Sequence, residues 1–309
     1  MTTRLSSHAT PAGWRILVTG GSGQLAQTLK HCGGDAVMVV GRPLFDFEQP
    51  DTVVRVMQDM RPDLVINTAA WTAIDAAEEE PDRARLTNTE GPALLAWLCA
   101  GQAVPLLHVS TDHVFSGTRG RPYRETDPTD PQSVYGRSRA EGEKAVLAAC
   151  ARAMVVRTSW VYGPYGRNFV RTMLEAACRE TQLQVVADQS GHPTAAPDLA
   201  DALLQVAARI RQSGWQPAYR GVFHVAGGGS ATWHELASAA VAHAGRHGHP
   251  APPVMPVMTA DRPTAAARRV DARLDCGRFR QVFGLELPHW RDSLGAVVET
   301  MLRQPVQVE

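Results

Sequence analysis

Lysine is nearly missing from this chain: of 31 basic residues only Lys30 and Lys144 are lysines, and the rest are arginines. The basic residues are balanced by 31 acidic ones, so the formal net charge is zero. That balance gives no reason to expect nucleic acid or an acidic membrane surface as a partner. Cysteine is scarce as well. Cys32, Cys99, Cys150, Cys178 and Cys276 are odd in number and far apart, with no paired CxxC. This argues against a disulfide framework or a zinc site and suits a reducing cytoplasm. No apolar run approaches the ~20 residues that span a bilayer. Met1–Gly13 is small and polar without a signal core, and reads as a frayed extension.

What is present is an alternation. Short apolar runs at 15–19, 36–40, 64–67, 106–110 and 154–157 are separated by segments with apolar residues at three- and four-residue steps, at 24–31, 52–60, 91–100 and 138–149. Strands alternating with helices predict βαβ units and an α/β fold, a Rossmann-type doubly wound parallel sheet. Beyond Trp160 proline and glycine punctuate the chain, which predicts a smaller C-terminal substrate lobe. The expected division is a dinucleotide-binding domain over 14–159, with a segment near 218–245 returning to it, and a substrate lobe over the rest of 160–309. A strand is expected near 221–225 and a surface loop over 247–256.

The first run leads into Thr19-Gly20-Gly21-Ser22-Gly23-Gln24-Leu25-Ala26. Gly20 permits a tight turn, Gly23 lets a pyrophosphate approach the backbone, and Ala26 allows close packing of helix on strand. The helix opening at Gln24 and Leu25 would aim its free N–H groups at the phosphates. A plain structural turn is the alternative. The second run ends at Val40-Gly41-Arg42, where an NAD site would carry an acidic residue for the ribose 2′-hydroxyl. Arg42 favours NADP(H) over NAD(H) by pairing with a 2′-phosphate, unless it is an ordinary solvated arginine. Asp46 and Phe47 are placed to flank the adenine.

Asn67-Thr68-Ala69-Ala70-Trp71 closes the third run, Ser110-Thr111-Asp112-His113 closes the fourth, and Tyr135-Gly136-Arg137-Ser138-Arg139 opens a helix. Together these resemble the extended short-chain dehydrogenase/reductase family, whose pattern pairs a Ser/Thr with Tyr-x-x-x-Lys. The resemblance is closest to the dTDP-4-dehydrorhamnose reductases. It is carried by 67–75, 110–117, 135–143, 157–163 with Asn168-Phe169, Asp188-Gln189, Pro193-Thr194, 197–199 and Leu287-Pro288-His289-Trp290. The resemblance implies reduction of the 4-keto group of a dTDP-4-keto-6-deoxy-L-hexose. Tyr135 would act as proton donor, with Thr111 on the same oxygen and a cation at position 139. It also implies that Ala69, Ala70, Trp71 and Ser110 border the cofactor, that Thr158-Ser159 approach the nicotinamide, and that Asp112, Trp160 and Asn168 border the substrate, with Gln189 a further polar candidate. Trp160 as core and Asn168 as plain loop remain the alternatives.

The sequence departs from the family twice. Position 139 is Arg rather than Lys, which keeps the charge and a contact to the nicotinamide ribose but does not readily relay a proton. The family's late Arg-Pro-x-Asn-Ser-x-Leu-Asp stretch reads Arg268-Arg269-Val270-Asp271-Ala272-Arg273-Leu274-Asp275 here, leaving Arg268, Arg269 or Arg273 to clamp a diphosphate. His113, where the family carries an aromatic, is given a packing role. The Asp-Glu pair of the related dehydratases is missing, which disfavours dehydration. No acidic cluster demands a metal, Glu78–Glu80 reading as a solvated helix turn, so Mg2+ and a homodimer are both left open. The other readings are a different nucleotide-sugar ketoreductase and a non-catalytic NADP-binding regulatory subunit.

Overall fold

A computed structural model describes residues 13–303; most of the Met1–Gly13 extension lies outside them. Six parallel strands form the central sheet: β1 (Ile16–Thr19), β2 (Val37–Val40), β3 (Leu64–Asn67), β4 (Leu106–Thr111), β5 (Ala153–Thr158) and β6 (Gly221–His224). Their spatial order is 2-1-3-4-5-6. Alternation along the strands sorts side chains to two cores. Ile16 and Val18 of β1 face the helices Gln24–Gly33 and Ala196–Ser213 beside Leu25, Leu29, Leu203 and Val206. Leu17 faces the opposite layer with Val53, Met57, Leu95 and Val146. Strands covered on both faces must be apolar on both, and β1 and β3 are wholly buried.

The sheet order reverses direction between β1 and β3, which pair in register from Ile16↔Leu64 to Thr19↔Asn67. Crevices outside the carboxyl ends of strands at such a switch point are where open α/β sheets take ligands. The glycine turn and the Asn67–Trp71 segment flank that crevice.

The chain does not leave the sheet for good at Trp160. The 18-residue helix Ala196–Ser213 has Leu199, Leu203, Val206 and Ile210 buried on one stripe and covers the sheet. Within the expected returning segment 218–245 only β6 joins the sheet. The helix Trp233–Arg246, started by a Thr232/Glu235 capping box, packs instead with Phe169–Ala177 and Trp290–Arg303 around Tyr162 and Trp290. The expected loop at 247–256 is partly strand, since Val254–Val257 pairs in parallel with Leu183–Val186. A strand carrying Pro256, and preceded by Pro253, sits on an edge, where missing N–H donors are tolerated, and proline hid it from the sequence pattern. The five cysteines are unpaired.

Candidate active site

The loop after β1 turns through Gly20 and Gly21, both left-handed at φ 108° and 52°. The helix Gln24–Gly33 then begins at Gly23 with no side-chain cap, so the N–H groups of its first turn are not satisfied by a side chain, the kind of helix end that can take an anion. Leu25 is buried in the core, so it can contribute through its backbone only. Gln24 Nε2 donates to Val161 O at 3.1 Å, tying the turn to the segment after β5. Arg42 is exposed, with no ion pair among the described residues. Asp46 Oδ1 accepts the Glu48 N–H in a local turn. Phe47 is 3% exposed, packed edge-on against Phe45 and into the space left by Gly91.

Beyond β3, Thr19 Oγ1 donates to Asn67 Oδ1 (2.5 Å) and Asn67 Nδ2 to His108 Nδ1 (2.8 Å), locking β1, β3 and β4 together. Burial, then the Arg139 charge, pushes the His108 imidazole well below its ordinary range, so it stays neutral. Asn88, a residue the sequence reading passed over, holds the next step. Its Oδ1 accepts the Trp71 N–H (2.9 Å), and its Nδ2 donates to Trp71 O (3.1 Å) and to Ser138 Oγ (3.0 Å). It thereby couples the Ala69–Trp71 segment to the helix Val134–Ala149. An amide in a buried π-helical turn (Leu86–Glu90) has no motif of its own to announce it. Glu78 is no mere solvated acid either, because its Oε1 accepts the Val134 N–H at 2.8 Å at that helix's start, where the dipole favours a negative charge.

Tyr135 and Arg139 lie one turn apart on this helix, capped by Ser133. Tyr135 is 7% exposed and its ring meets the His113 ring edge-on at 5.2 Å; the His113 N–H in turn donates to Thr111 Oγ1. His113 thus touches both residues, with its ring on Tyr135 and its backbone N–H on Thr111. Burial, then the Arg269 charge, pushes His113 down to about 3, so it packs as a neutral ring. Arg139 is 2% exposed; its Nη2 donates to Val109 O, while Nε and Nη1 are buried without a partner.

Other expected contacts are engaged elsewhere. Ser110 Oγ donates to Glu143 Oε1 at 2.6 Å, and Glu143 forms a buried two-pronged pair with Arg157. Ser159 Oγ donates to Asp112 Oδ2 at 2.8 Å. Asp112, 2% exposed, also accepts from Thr111 Oγ1 at 3.0 Å. Burial resists its ionisation, but the Arg269 charge and the Ser159 hydrogen bond hold it below the usual carboxylate range. Asn168 is a helix cap, accepting the Arg171 N–H and donating to Gly163 O. Gln189 donates to Thr259 Oγ1. Trp160 has a left-handed backbone (φ 45°) and stacks on Trp233 at 3.6 Å, half-buried. A bulky residue is held in that conformation only where its surroundings over-determine it.

The family described as RmlD substrate binding domain matches residues 14–303. The dTDP-4-dehydrorhamnose reductase of Sinorhizobium fredii is 41% identical over 290 residues, 93% of this chain and 98% of that protein. The enzyme of the same name from Burkholderia thailandensis is 37% identical over 299 residues, 94% of this chain and 100% of that protein. The chain belongs to the RmlD family. Among solved structures, the dTDP-4-dehydrorhamnose reductase of Bacillus anthracis in complex with NADP superposes with TM-score 0.83 at 32% identity, covering 92% of this chain and 98% of that one. The Clostridium acetobutylicum structure of the same name gives 0.84, also at 32% identity, covering 93% and 99%.

Against that family background the arginines of 268–275 end differently from one another. Arg268 Nη2 meets Asp75 Oδ2 at 2.6 Å, and Arg273 closes on Asp271 at 2.9 and 2.8 Å. Arg269 turns inward to Asp112. One further cluster escaped the sequence reading: His243, His247 and Glu299 hold ligand-type atoms within 4.8 Å of one another. It spans the outer helices Trp233–Arg246 and Trp290–Arg303 rather than the strand ends. There Arg246 donates to His243 Nδ1 and Arg303 pairs with Glu299, which makes it an ion network. Among the described residues no helix is long and apolar enough to cross a membrane.

Proposed function

We propose that this chain is an NADPH-dependent reductase of the 4-keto group of a dTDP-4-keto-6-deoxy-L-hexose, with dTDP-4-dehydro-L-rhamnose as its substrate. The observation that carries this is that His113 contacts both residues at the carboxyl end of β4, its ring against the Tyr135 ring and its backbone N–H on Thr111 Oγ1, in a chain so similar to named dTDP-4-dehydrorhamnose reductases over nearly its whole length. A nicotinamide dinucleotide fits the residues present. The uncapped helix after Gly23 suits a pyrophosphate, and the two unpartnered buried N–H-bearing nitrogens of Arg139 call for an acceptor such as a ribose hydroxyl. Arg42 would meet a 2′-phosphate. A cytoplasmic setting suits the unpaired cysteines.

When bound, the dihydronicotinamide supplies the reducing equivalent. The chain supplies the rest. Tyr135 holds a phenolic proton for the ketone oxygen as negative charge develops there. Arg139 keeps a fixed positive charge one helical turn away, which favours the phenolate left behind. Thr111 in the resting geometry donates to ionised Asp112, which can only accept. To hold the substrate oxygen it must turn its single proton away from Asp112.

Consumption of NADPH on a panel of dTDP-4-keto-6-deoxy sugars tests the reading. Wild-type turnover on dTDP-4-dehydro-L-rhamnose, reduced about 10²- to 10⁴-fold in Tyr135→Phe with NADPH binding retained, is expected. NADPH binding with no turnover on any member would reject the reductase in favour of a non-catalytic subunit. Faster turnover on another dTDP-keto sugar would reassign the substrate.

A further inference from the structure

Arg269 is 8% exposed, and its Nη1 lies 3.2 Å from Asp112 Oδ2. That ion pair engages Nη1, while the buried Nε has no hydrogen-bond partner. Buried donors in native proteins are nearly always paired, so an orphaned guanidinium edge beside Thr111 calls for a ligand. The backbone is built to deliver it. Gly117, left-handed at φ 83°, has no side chain, and a Cβ there would lie 2.5 Å from Arg269 Cβ. The Asp271 N–H donates to Gly117 O at 3.1 Å, holding the strand of chain against the end of the site. Asp112, fixed by Ser159 and Thr111, moors the charge. Because Asp112 holds the Thr111 proton, the Arg269 N–H groups are the donors left over around this carboxylate.

We propose that Arg269 is a substrate-contacting residue, its guanidinium moored on Asp112 and donating hydrogen bonds to an oxygen of the bound sugar nucleotide. This rests on the reading of the chain as a sugar-nucleotide reductase. The motif that the stretch resembles has proline at this position, which offers no donor, so the contact is a property of this chain. The acceptor is either a diphosphate oxygen or an oxygen of the sugar, and the two are separable.

The test uses the NADPH-loaded protein, measuring affinity for dTDP alone and KM and kcat for dTDP-4-dehydro-L-rhamnose. Arg269→Gln is expected to raise KM about 10- to 100-fold, the effect of losing a hydrogen bond from a charged donor, and Arg269→Lys to recover part of it. If dTDP affinity falls in parallel, the acceptor is the diphosphate; if only the sugar nucleotide is weakened, it is the sugar. KM and dTDP affinity within twofold of wild type in Arg269→Gln would overturn the proposal. Arg269→Gln combined with Asp112→Asn removes both buried charges together and guards against simple misfolding. A binding defect there larger than that of Asp112→Asn alone supports direct contact, and a KM equal to that of Asp112→Asn alone would show that Arg269 acts only on Asp112. A wild type that neither binds dTDP nor consumes NADPH would instead sink the reductase reading, and the proposal with it.

Discussion

Gly41, at the end of β2, faces Gly21 across the turn so closely that a Cβ on Gly41 would lie 2.5 Å from Gly21 Cα. The Gly21 N–H donates to Val40 O at 2.9 Å and holds the two segments together. The acidic residue of an NAD site is therefore not merely missing at position 41; it does not fit. Any choice between the two cofactors falls to the exposed neighbour, Arg42.

Cofactor preference follows from that relationship. Arg42→Ala is expected to weaken NADPH binding about 10- to 100-fold while leaving NADH affinity unchanged, since only the 2′-phosphate loses a charge-assisted partner. Gly41→Asp, the substitution that sequence logic suggests for switching to NADH, is expected to weaken both cofactors because the turn must open. Titration of both dinucleotides against the two variants checks this. A Gly41→Asp protein that gains NADH affinity would show that the turn yields.

How much of this was visible in the sequence depends on whether a residue's role is local. The glycine turn, the six strands and the Tyr135 helix are announced by short-range patterns, and the structure places them within a few residues. Side-chain direction is not local. Ser110 and Thr111 are neighbours on one strand, but alternation sends the first to Glu143 and the second to Asp112. The structure makes Asn168 a helix cap and buries Phe47 in the core, roles that no short-range pattern announces. Asn88 and Glu78 bind backbone groups 17 and 56 residues away, and nothing in a single sequence pairs such positions.

The Glu143–Arg157 pair sits beneath the site at 2.6 Å with both side chains 4% exposed. Removing one partner leaves the other charge buried alone, which costs about 3–5 kcal/mol. Arg157→Met is therefore expected to lower unfolding free energy by that amount in urea denaturation, and to loosen β4 through Ser110. Arg157→Met with Glu143→Leu should be milder than either single change. Equal losses in single and double variants would mean that the pair's geometry, not its charge, matters.

His224 gives the fold an acid-sensitive element. Burial first, then the Arg157 charge, pushes its pKa down to about 3, against the Tyr123 carbonyl that favours the protonated ring. Glu125 accepts the His224 backbone N–H, and the Asp275 charge also acts on the ring. In the unfolded chain a histidine titrates near ~6.5, so that state takes up the proton first. The His224 contribution is intact above ~6.5 and is lost as the pH falls from there toward 3. His224→Gln, which cannot titrate, is expected to lose less stability than wild type between about pH 7.5 and about pH 5, compared by urea midpoints. Parallel losses would assign the acid sensitivity to other groups.

Arg139 decides whether the departure from Tyr-x-x-x-Lys is costly. Its guanidinium is buried, anchored by Nη2 on Val109 O, with Nε and Nη1 left for a ligand. A fixed charge one turn from Tyr135 satisfies the electrostatic requirement, whereas a relay through residue 139 would need a group that gives up its proton. If only the charge matters, Arg139→Lys should change kcat by less than about tenfold, and Arg139→Met should lose both cofactor affinity and turnover. The relay reading expects the opposite for lysine: a gain in kcat well beyond tenfold, with a steeper fall at high pH as the ammonium deprotonates. Measuring kcat against pH for wild type, Arg139→Lys and Arg139→Met separates the two, because a guanidinium stays charged throughout the range and cannot contribute such a limb.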